Sequence, residues 1–168
     1  IENGHQITVW NRTVLTAERA LKGCDVEIRK FSISALSKRL DKKDILVSML
    51  PGEWHVPLAK LCLEKTANFV SSSYISPEML ELNEDFEEAN LACVNEVGLD
   101  PGIDHSMAHY LVSDLKTSGL NSNLSIDFIS YCGGVPKFPN PFRYKFSWSP
   151  AGVLKALKSP SKSIKNGK

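Results

Sequence analysis

The run Asp44–Leu50, DILVSML, constrains the fold more than any other stretch of the chain. Its apolar residues are continuous instead of alternating, as a strand inside a parallel sheet requires. Pro51-Gly52 then breaks it. Strand and helix alternate around this run. Gln6–Trp10 reads as a short strand, Leu15–Lys22 as a helix, Val26–Ile28 as a strand and Ser34–Leu40 as a helix. Further on, His55–Glu64 reads as a helix and Asn68–Ser71 as a strand. Ser76-Pro77-Glu78-Met79 opens a helix, with Ser76 as N-cap, Pro77 at the first helical position and an acid in the first turn. Met79, Leu80, Leu82 and Phe86 belong to the core at helical spacing. Leu91–Val97 is the next strand, and Met107–Leu115 is amphipathic and helical. The alternation predicts an α/β protein, a parallel sheet with helices on both faces.

After Gly119 the character changes. Leu124–Tyr131 reads as a longer strand, Cys132-Gly133-Gly134 opens a proline-rich loop to Pro141, and Tyr144–Trp148 is extended. Ser149-Pro150 caps a last helix over Ala151–Lys158. A boundary near Gly98 separates a partial dinucleotide-binding, Rossmann-like domain (residues 1–98) from the beginning of an α+β substrate domain (residues 99–168). A Rossmann domain starts with a strand, a GxGxxG turn and a helix, whose N-terminus receives the pyrophosphate. No GxGxxG occurs here. The expected sheet is therefore incomplete, lacking its first strand and glycine turn and exposing unpaired edges.

Composition bounds the function classes. The 168 residues suffice for a domain with a proper core, and 42% hydrophobic with 23% charged residues is the balance of a soluble globular protein. A formal net charge of +1 gives no global field to attract nucleic acid. Cys24, Cys62, Cys93 and Cys132 form no CxxC and read as reduced thiols, which makes the cytoplasm the expected location. No apolar run of about 18 residues exists to span a membrane, and the N-terminal IENGHQITVW is not a signal peptide. The tail Ser159–Lys168 is rich in Ser, Lys and Gly and reads as solvated surface.

Chemistry concentrates at Asn95–His105, NEVGLDPGIDH. Gly98 and Gly102 admit backbone angles that other residues resist, and Pro101 fixes one dihedral. Glu96, Asp100, Asp104 and His105 are titratable groups on this constrained backbone. A strand end, a bent loop of carboxylates and a helix start is how α/β enzymes place chemistry at the carboxyl edge of a sheet. The other reading is an Asx-type turn with a helix cap at Asp104.

NEVGLDPGIDH, together with SSYISPEMLEL at Ser72–Leu82, SYCGG at Ser130–Gly134 and NPFRYKFSWSPAGVL at Asn140–Leu154, resembles the saccharopine dehydrogenase family, closest to its NADP-dependent, glutamate-forming branch. The likeness runs from about Gly4 to Lys168. It implies an NADP-dependent oxidoreductase acting on CH–NH groups. Its reaction joins aminoadipate semialdehyde to glutamate as an imine and reduces this with NADPH to saccharopine, or the reverse, in lysine metabolism through aminoadipate. By the same likeness Gln6–Trp10 would be the second strand, so a fragment of a longer family member is expected. The alternative is a truncated, non-catalytic relic that serves as a binding or assembly module. The implied partners are small amino-acid substrates, without nucleic acid or membrane, and a homodimer is one assembly open to it.

Two routes meet at Arg12 and Thr13, which follow the first strand seen here. In the general fold an arginine at this place accommodates the 2′-phosphate of NADP, and the family has a matching Arg-Thr in its NADP pocket. A surface arginine is the other reading. Ser48, Leu50 and Pro51, at the end of one strand, and Ser73 and Tyr74, at the end of another, lie where the fold has its cofactor crevice. The resemblance puts the first set along NADP(H), and Tyr74 near nicotinamide and substrate. It also assigns Asp100 to the substrate's amino end, as an ion-pair partner or an orienter of proton transfer. Cys132 and Gly133 match a substrate-facing turn, with Cys132 giving shape instead of a nucleophile. Arg143 and Lys145 are the nearby cations for a tricarboxylate, with plain surface charge as the other reading. The sequence departs from the family at Gly52-Glu53-Trp54 and in the short VPKFPNP segment. His105 and His109 have metal-compatible spacing, but no further ligand set is evident, so no metal is expected; His105 is also an acid–base group near neutrality.

Overall fold

Every strand pairing in the computed structural model, which describes residues 4–119, 126–134, 136–146, 149–158, 160 and 164, is parallel. The chain divides into two units, Ile1–Leu120 and Asn121–Lys168. In the first, the order is β1 (Thr8–Asn11), α1 (Val14–Ala20), β2 (Glu27–Lys30), α2 (Ile33–Ser37) and β3 (Ile45–Ser48). A 3-10 turn at Gly52–Trp54 runs directly into α3 (His55–Lys65). Then come β4 (Asn68–Ser71), α4 (Pro77–Leu80), α5 (Asn83–Glu88), β5 (Cys93–Val94) and α6 (Ile103–Thr117). The α/β class read from the alternation is the class observed.

The single sheet expected from sequence is corrected to two. β1 pairs with β2, Thr8 opposite Glu27, while β3, β4 and β5 pair in that order, Ile45 opposite Asn68 and Phe69 opposite Cys93. β1 and β3 thus each keep one edge that no described residue pairs. A second correction concerns β3, expected to be buried on both faces. Leu46 and Ser48 turn inward, whereas Ile45 and Val47 are 65% and 56% exposed on the opposite face. Apolar continuity made both faces of the strand suitable for burial, but among the described residues only one face is covered.

That covered face carries the core. Phe69 is fully buried between the sheet and α3, which contributes Leu58, Ala59, Leu61 and Cys62; Leu36, Leu40, Met79, Leu82 and Phe86 close the cluster. Each large apolar side chain withdrawn this way stabilises by roughly 1.5–3 kcal/mol. Pro57 falls in the first turn of α3, where its missing N–H leaves no vacancy in the helix ladder. The helix stops at Thr66, whose left-handed backbone (φ 52°) returns its N–H to the carbonyls of Cys62 and Leu63. Ser76 caps α4 as its sequence predicts, its hydroxyl accepting from the Met79 amide at 3.2 Å. Leu80, expected in the core, is instead 61% exposed. Met79 of α4, Leu82 between the helices and Phe86 of α5 turn inward, whereas Leu80, at the end of α4, faces outward.

In the second unit α7 (Pro150–Ala156) begins on Ser149, whose Oγ accepts from the Gly152 amide at 3.1 Å, with Pro150 at the first helical position. The strand expected over residues 124–131 is corrected: residues 126–131 take no strand pairing, and Leu124 lies outside the described residues. Alternation alone does not make a strand where no neighbour supplies the ladder. Residues 144–146 are not in a strand either, although the Lys145 amide bonds the Gly134 carbonyl. Ser147, Trp148, Val135 and most of the tail from Ser159 lie outside the described residues.

Candidate functional site

The carboxyl ends of β3, β4 and β5 and the loop into α6 form one polar rim. Ser48 ends β3 at 3% exposure, and its Oγ is buried without a hydrogen-bond partner among the described residues. Ser71 ends β4, and its hydroxyl donates to Asn95 Oδ1 at 2.8 Å. The Asn95 amide reaches back to Cys93 Sγ at 3.5 Å. Between the β3 and β4 ends, a cavity of about 150 Å3 is bordered by Gly52, His55, Ser73, Tyr74, Ser76 and Asn95.

Leu50 and Pro51 make the turn after β3. The Leu50 carbonyl accepts from His55 Nε2 at 2.8 Å, which turns the imidazole inward against Phe69. Burial pushes the His55 pKa down, only partly opposed by the Leu50 hydrogen bond and the Glu53 charge, so the ring is neutral at physiological pH.

Tyr74 and Asp100 meet. The phenol donates to Asp100 Oδ1 at 2.6 Å, and its pKa is pushed up to about 12, first by that hydrogen bond, then by burial and by the charges of Asp100, Asp104 and Glu96. Tyr74 is therefore protonated throughout the physiological range, and Asp100 is the acceptor.

The loop explains how Asp100 gets there. Val97 donates to the Ser71 carbonyl at 3.0 Å and Glu96 to that of Ser73 at 3.1 Å, so the chain leaves β5 alongside the β4 end. Gly98 N–H then bonds the Pro101 carbonyl at 2.9 Å, and Ile103 N–H returns to the Gly98 carbonyl at 2.9 Å. A Cβ on Gly102, at φ 144°, would lie 2.2 Å from the Gly98 carbonyl oxygen, so only glycine closes this loop. The Asp100-Pro101 peptide is cis. Asp104 Oδ1 accepts from the Gly102 amide at 2.8 Å. Desolvation opposes ionisation of Asp104, but the Gly102 and His105 amides and the nearby His105 outweigh it and hold its carboxyl below the ordinary range. The helix cap expected at Asp104 is corrected: the N-cap of α6 is Gly102, with no side-chain cap, and Asp104 stands inside the first turn, where its carboxylate accepts from the amide of Gly102, two residues after Asp100.

The other expected residues fall as follows. Arg12 and Thr13 are exposed just beyond β1, where Asn11 Oδ1 accepts from the Thr13 amide at 2.9 Å. Among the described residues Arg12 makes no ion pair. Ser73 is half-buried beside Tyr74. In the second unit Cys132, Gly133 and Arg143 are exposed, and the Lys145 amide bonds the Gly134 carbonyl at 3.2 Å, joining the Cys-Gly-Gly turn to the segment that carries Arg143. His105 and His109 are both exposed on α6, with His105 Nε2 3.8 Å from Asp104 Oδ2. No group of three or more metal-ligating side chains gathers among the described residues. Sequence reasoning missed His55 as part of the rim; Asn95 and Glu96 fall within the Asn95–His105 stretch that it singles out, Glu96 among its titratable groups, but neither has an individual role there. His55 reads only as the first residue of an apolar helix. Asn95 carries a usable signal, as a polar residue directly after a strand.

Parallel strands with helical crossovers and a polar rim at their carboxyl ends define an α/β protein of the dinucleotide-binding type. Comparison with known proteins makes this specific. Residues 1–94 match the saccharopine dehydrogenase NADP binding domain and residues 98–168 the saccharopine dehydrogenase C-terminal domain. The chain belongs to the saccharopine dehydrogenase family. It is 37% identical over 168 residues to saccharopine dehydrogenase [NADP(+), L-glutamate-forming] from Saccharomyces cerevisiae, covering 96% of this chain and 37% of that protein. It is 39% identical over 173 residues to the mitochondrial alpha-aminoadipic semialdehyde synthase of Rattus norvegicus, covering 99% of this chain and 18% of that protein. The solved apo saccharopine dehydrogenase (L-Glu forming) from Saccharomyces cerevisiae superposes with a TM-score of 0.75 at 37% identity, over 97% of this chain and 37% of that one. Across the relatives compared, the chain spans 14% to 38% of their length.

Proposed function

We propose that this chain carries the cofactor crevice and the first substrate contacts of an NADP-dependent, glutamate-forming saccharopine dehydrogenase. The observation that carries the reading is the 2.6 Å hydrogen bond from Tyr74 to Asp100 at the carboxyl edge of the parallel strands. The residues fit NADP(H). Ser48 offers a buried hydroxyl with no partner among the described residues, and Arg12 an exposed guanidinium with no carboxylate paired to it. Arg12 and Thr13 would hold the 2′-phosphate, and Ser48, Leu50, Pro51 and Ser73 would line the rest of the crevice. NADPH held there would supply the hydride for the carbon of the imine formed from aminoadipate semialdehyde and glutamate.

Asp100 would attract and orient the substrate nitrogen in its protonated, iminium form, so that a hydride added to the carbon turns C=N into the C–N bond of a secondary amine with no further proton needed. Tyr74 occupies Oδ1 of Asp100 and so leaves the second carboxylate oxygen for that nitrogen. Cys132, Gly133 and Arg143 are proposed for the substrate's carboxylate end, with the guanidinium as a bidentate partner. The corresponding domain division is 1–98 for cofactor and 99–168 for the beginning of the substrate domain. The cysteine pattern supports a cytoplasmic location; relatives from mouse and rat are named mitochondrial, so cell fractionation is the deciding observation. No helix of the described residues is long and apolar enough to cross a membrane.

The test uses the full-length protein. It is expected to quench or enhance NADPH fluorescence on binding, with NADH bound at least about tenfold more weakly, and to oxidise NADPH only when semialdehyde and glutamate are both present. Tyr74→Phe and Asp100→Asn should lower turnover with the NADPH affinity unchanged. Equal binding of NADH and NADPH, or full turnover in Asp100→Asn, would overturn the reading. A full-length protein that binds neither nucleotide would favour a binding module.

A further inference from the structure

Glu96 is one of the titratable groups of the Asn95–His105 stretch, and the proposed reaction gives it no role. It lies between the strand end and the carboxylate loop, in the left-handed region at φ 62°, a conformation that a glutamate rarely adopts. Two of its groups grip the chain on either side of Tyr74. Its backbone N–H donates to the carbonyl of Ser73 at 3.1 Å, and its carboxylate Oε1 accepts from the amide of Ile75 at 3.3 Å. The residues flanking Tyr74 are thus tied to one residue of the loop that presents Asp100. The tyrosine itself is 65% exposed and has little packing to hold its ring, so its backbone anchors decide where the phenol points.

We propose that Glu96 is a positioning residue. Its side chain clamps the backbone at Ile75, so that the Tyr74 hydroxyl is aimed at Asp100 and both are pre-set for the substrate's amine. This rests on the reading of Tyr74 and Asp100 given above. The left-handed backbone serves the clamp, because it lets the main chain and side chain of one residue reach the two sides of Tyr74. The clamp needs an acceptor oxygen at the reach of a glutamate side chain and does not need its charge.

Two conservative variants in the full-length protein separate reach from charge. Glu96→Gln keeps the length and a carbonyl acceptor; Glu96→Asp keeps the charge but is one methylene short of the Ile75 amide. The expected result is turnover close to wild type in Glu96→Gln. Glu96→Asp should lose about 10-fold in kcat/KM for the amine-bearing substrate, with NADPH affinity unchanged, since misplacement of a reacting group by about 1 Å is enough for such a loss. Wild-type turnover in Glu96→Asp, or equal losses in the two variants, would overturn the clamp. Failure of the parent reading is seen separately, as absent NADPH binding or turnover in the wild-type protein.

Discussion

Replacing Asp100 by asparagine should return the Tyr74 phenol towards its ordinary titration. In the native structure Tyr74 donates to Asp100 Oδ1 at 2.6 Å, and its pKa stands at about 12 against an ordinary 10.0. The hydrogen bond is the largest cause, partial burial the next, and the charges of Asp100, Asp104 and Glu96 follow. An asparagine oxygen still accepts a hydrogen bond, but it has no charge, so the charge-assisted part of the bond and the Asp100 repulsion both disappear. Without screening, the difference between 10.0 and about 12 would correspond to about 2.7 kcal/mol. Tyr74 is 65% exposed, and solvent screening reduces its contribution to stability to about 1 kcal/mol or less. Because the folded value lies above the unfolded one, this contribution is whole below about pH 10 and is lost as pH rises through about 12. Ring-labelled tyrosine NMR, with Tyr74→Phe to assign the signal among the 4 tyrosines, reads the titration directly. Asp100→Asn should bring the phenol down by about one pH unit or more, and urea melts at neutral pH should fall by no more than about 1 kcal/mol. A Tyr74 titration unchanged in Asp100→Asn, or a native phenol already titrating at its ordinary value, would refute the pairing.

Gly102→Ala should disrupt the loop, because the new Cβ would meet the Gly98 oxygen at 2.2 Å at a φ of 144°. A loss of about 3 kcal/mol in thermal or urea stability, with the raised Tyr74 titration abolished, is the expected outcome. Ser76→Ala removes the hydroxyl that caps α4 and should cost about 1 kcal/mol in a urea melt, whereas Ser76→Asp should cost less than half of that. His55 has a depressed folded pKa, so its contribution is present above the ordinary value of 6.5 and is lost as pH falls below it towards the folded value. Stability followed from pH 8 to pH 5 should therefore decline more steeply in the native protein than in His55→Gln; parallel declines would show that His55 is not the group responsible.

How far the sequence reached can be judged from particular elements. β4 occupies Asn68–Ser71, the span read from sequence, because a short strand between a capped helix end and a serine turn leaves little freedom in its bounds. Ser76 and Ser149 were legible because a cap is local chemistry: one hydroxyl, one amide three residues on, and a proline that cannot donate. What required partners was misread. Residues 126–131 have strand composition but no neighbouring strand among the described residues, and β3 has an apolar outer face that no described helix covers. Leu80 differs for another reason: the helical run expected from Ser76 is broken into α4 and α5, and Leu80, the last residue of α4, falls on the solvent side while Met79, Leu82 and Phe86 are buried.

At the rim the division is sharper. Strand ends marked the stretches that hold Tyr74 and Asp100, and the family resemblance picked out these two residues within them; the parallel register of β4 with β5 brings the stretches together although the residues are 26 apart in sequence. Position in the fold thus predicts which side chains can meet. It does not say what holds them in place. The anchor at Ser73 and Ile75 depends on a glutamate in a left-handed backbone, and no residue type at position 96 announces that conformation. His55 faces inward because its Nε2 finds the Leu50 carbonyl five residues earlier, a contact set by the 3-10 turn at Gly52–Trp54 and not by the helix that contains the histidine. Glycine 102 connects the two levels. Its sequence position marks a turn, but only the 2.2 Å approach to Gly98 explains why the turn must close tightly enough to carry Asp100 to Tyr74. Which stretches meet at such a rim is therefore readable from strand ends, while the contacts that hold their side chains are readable only from the backbone that the strands leave behind.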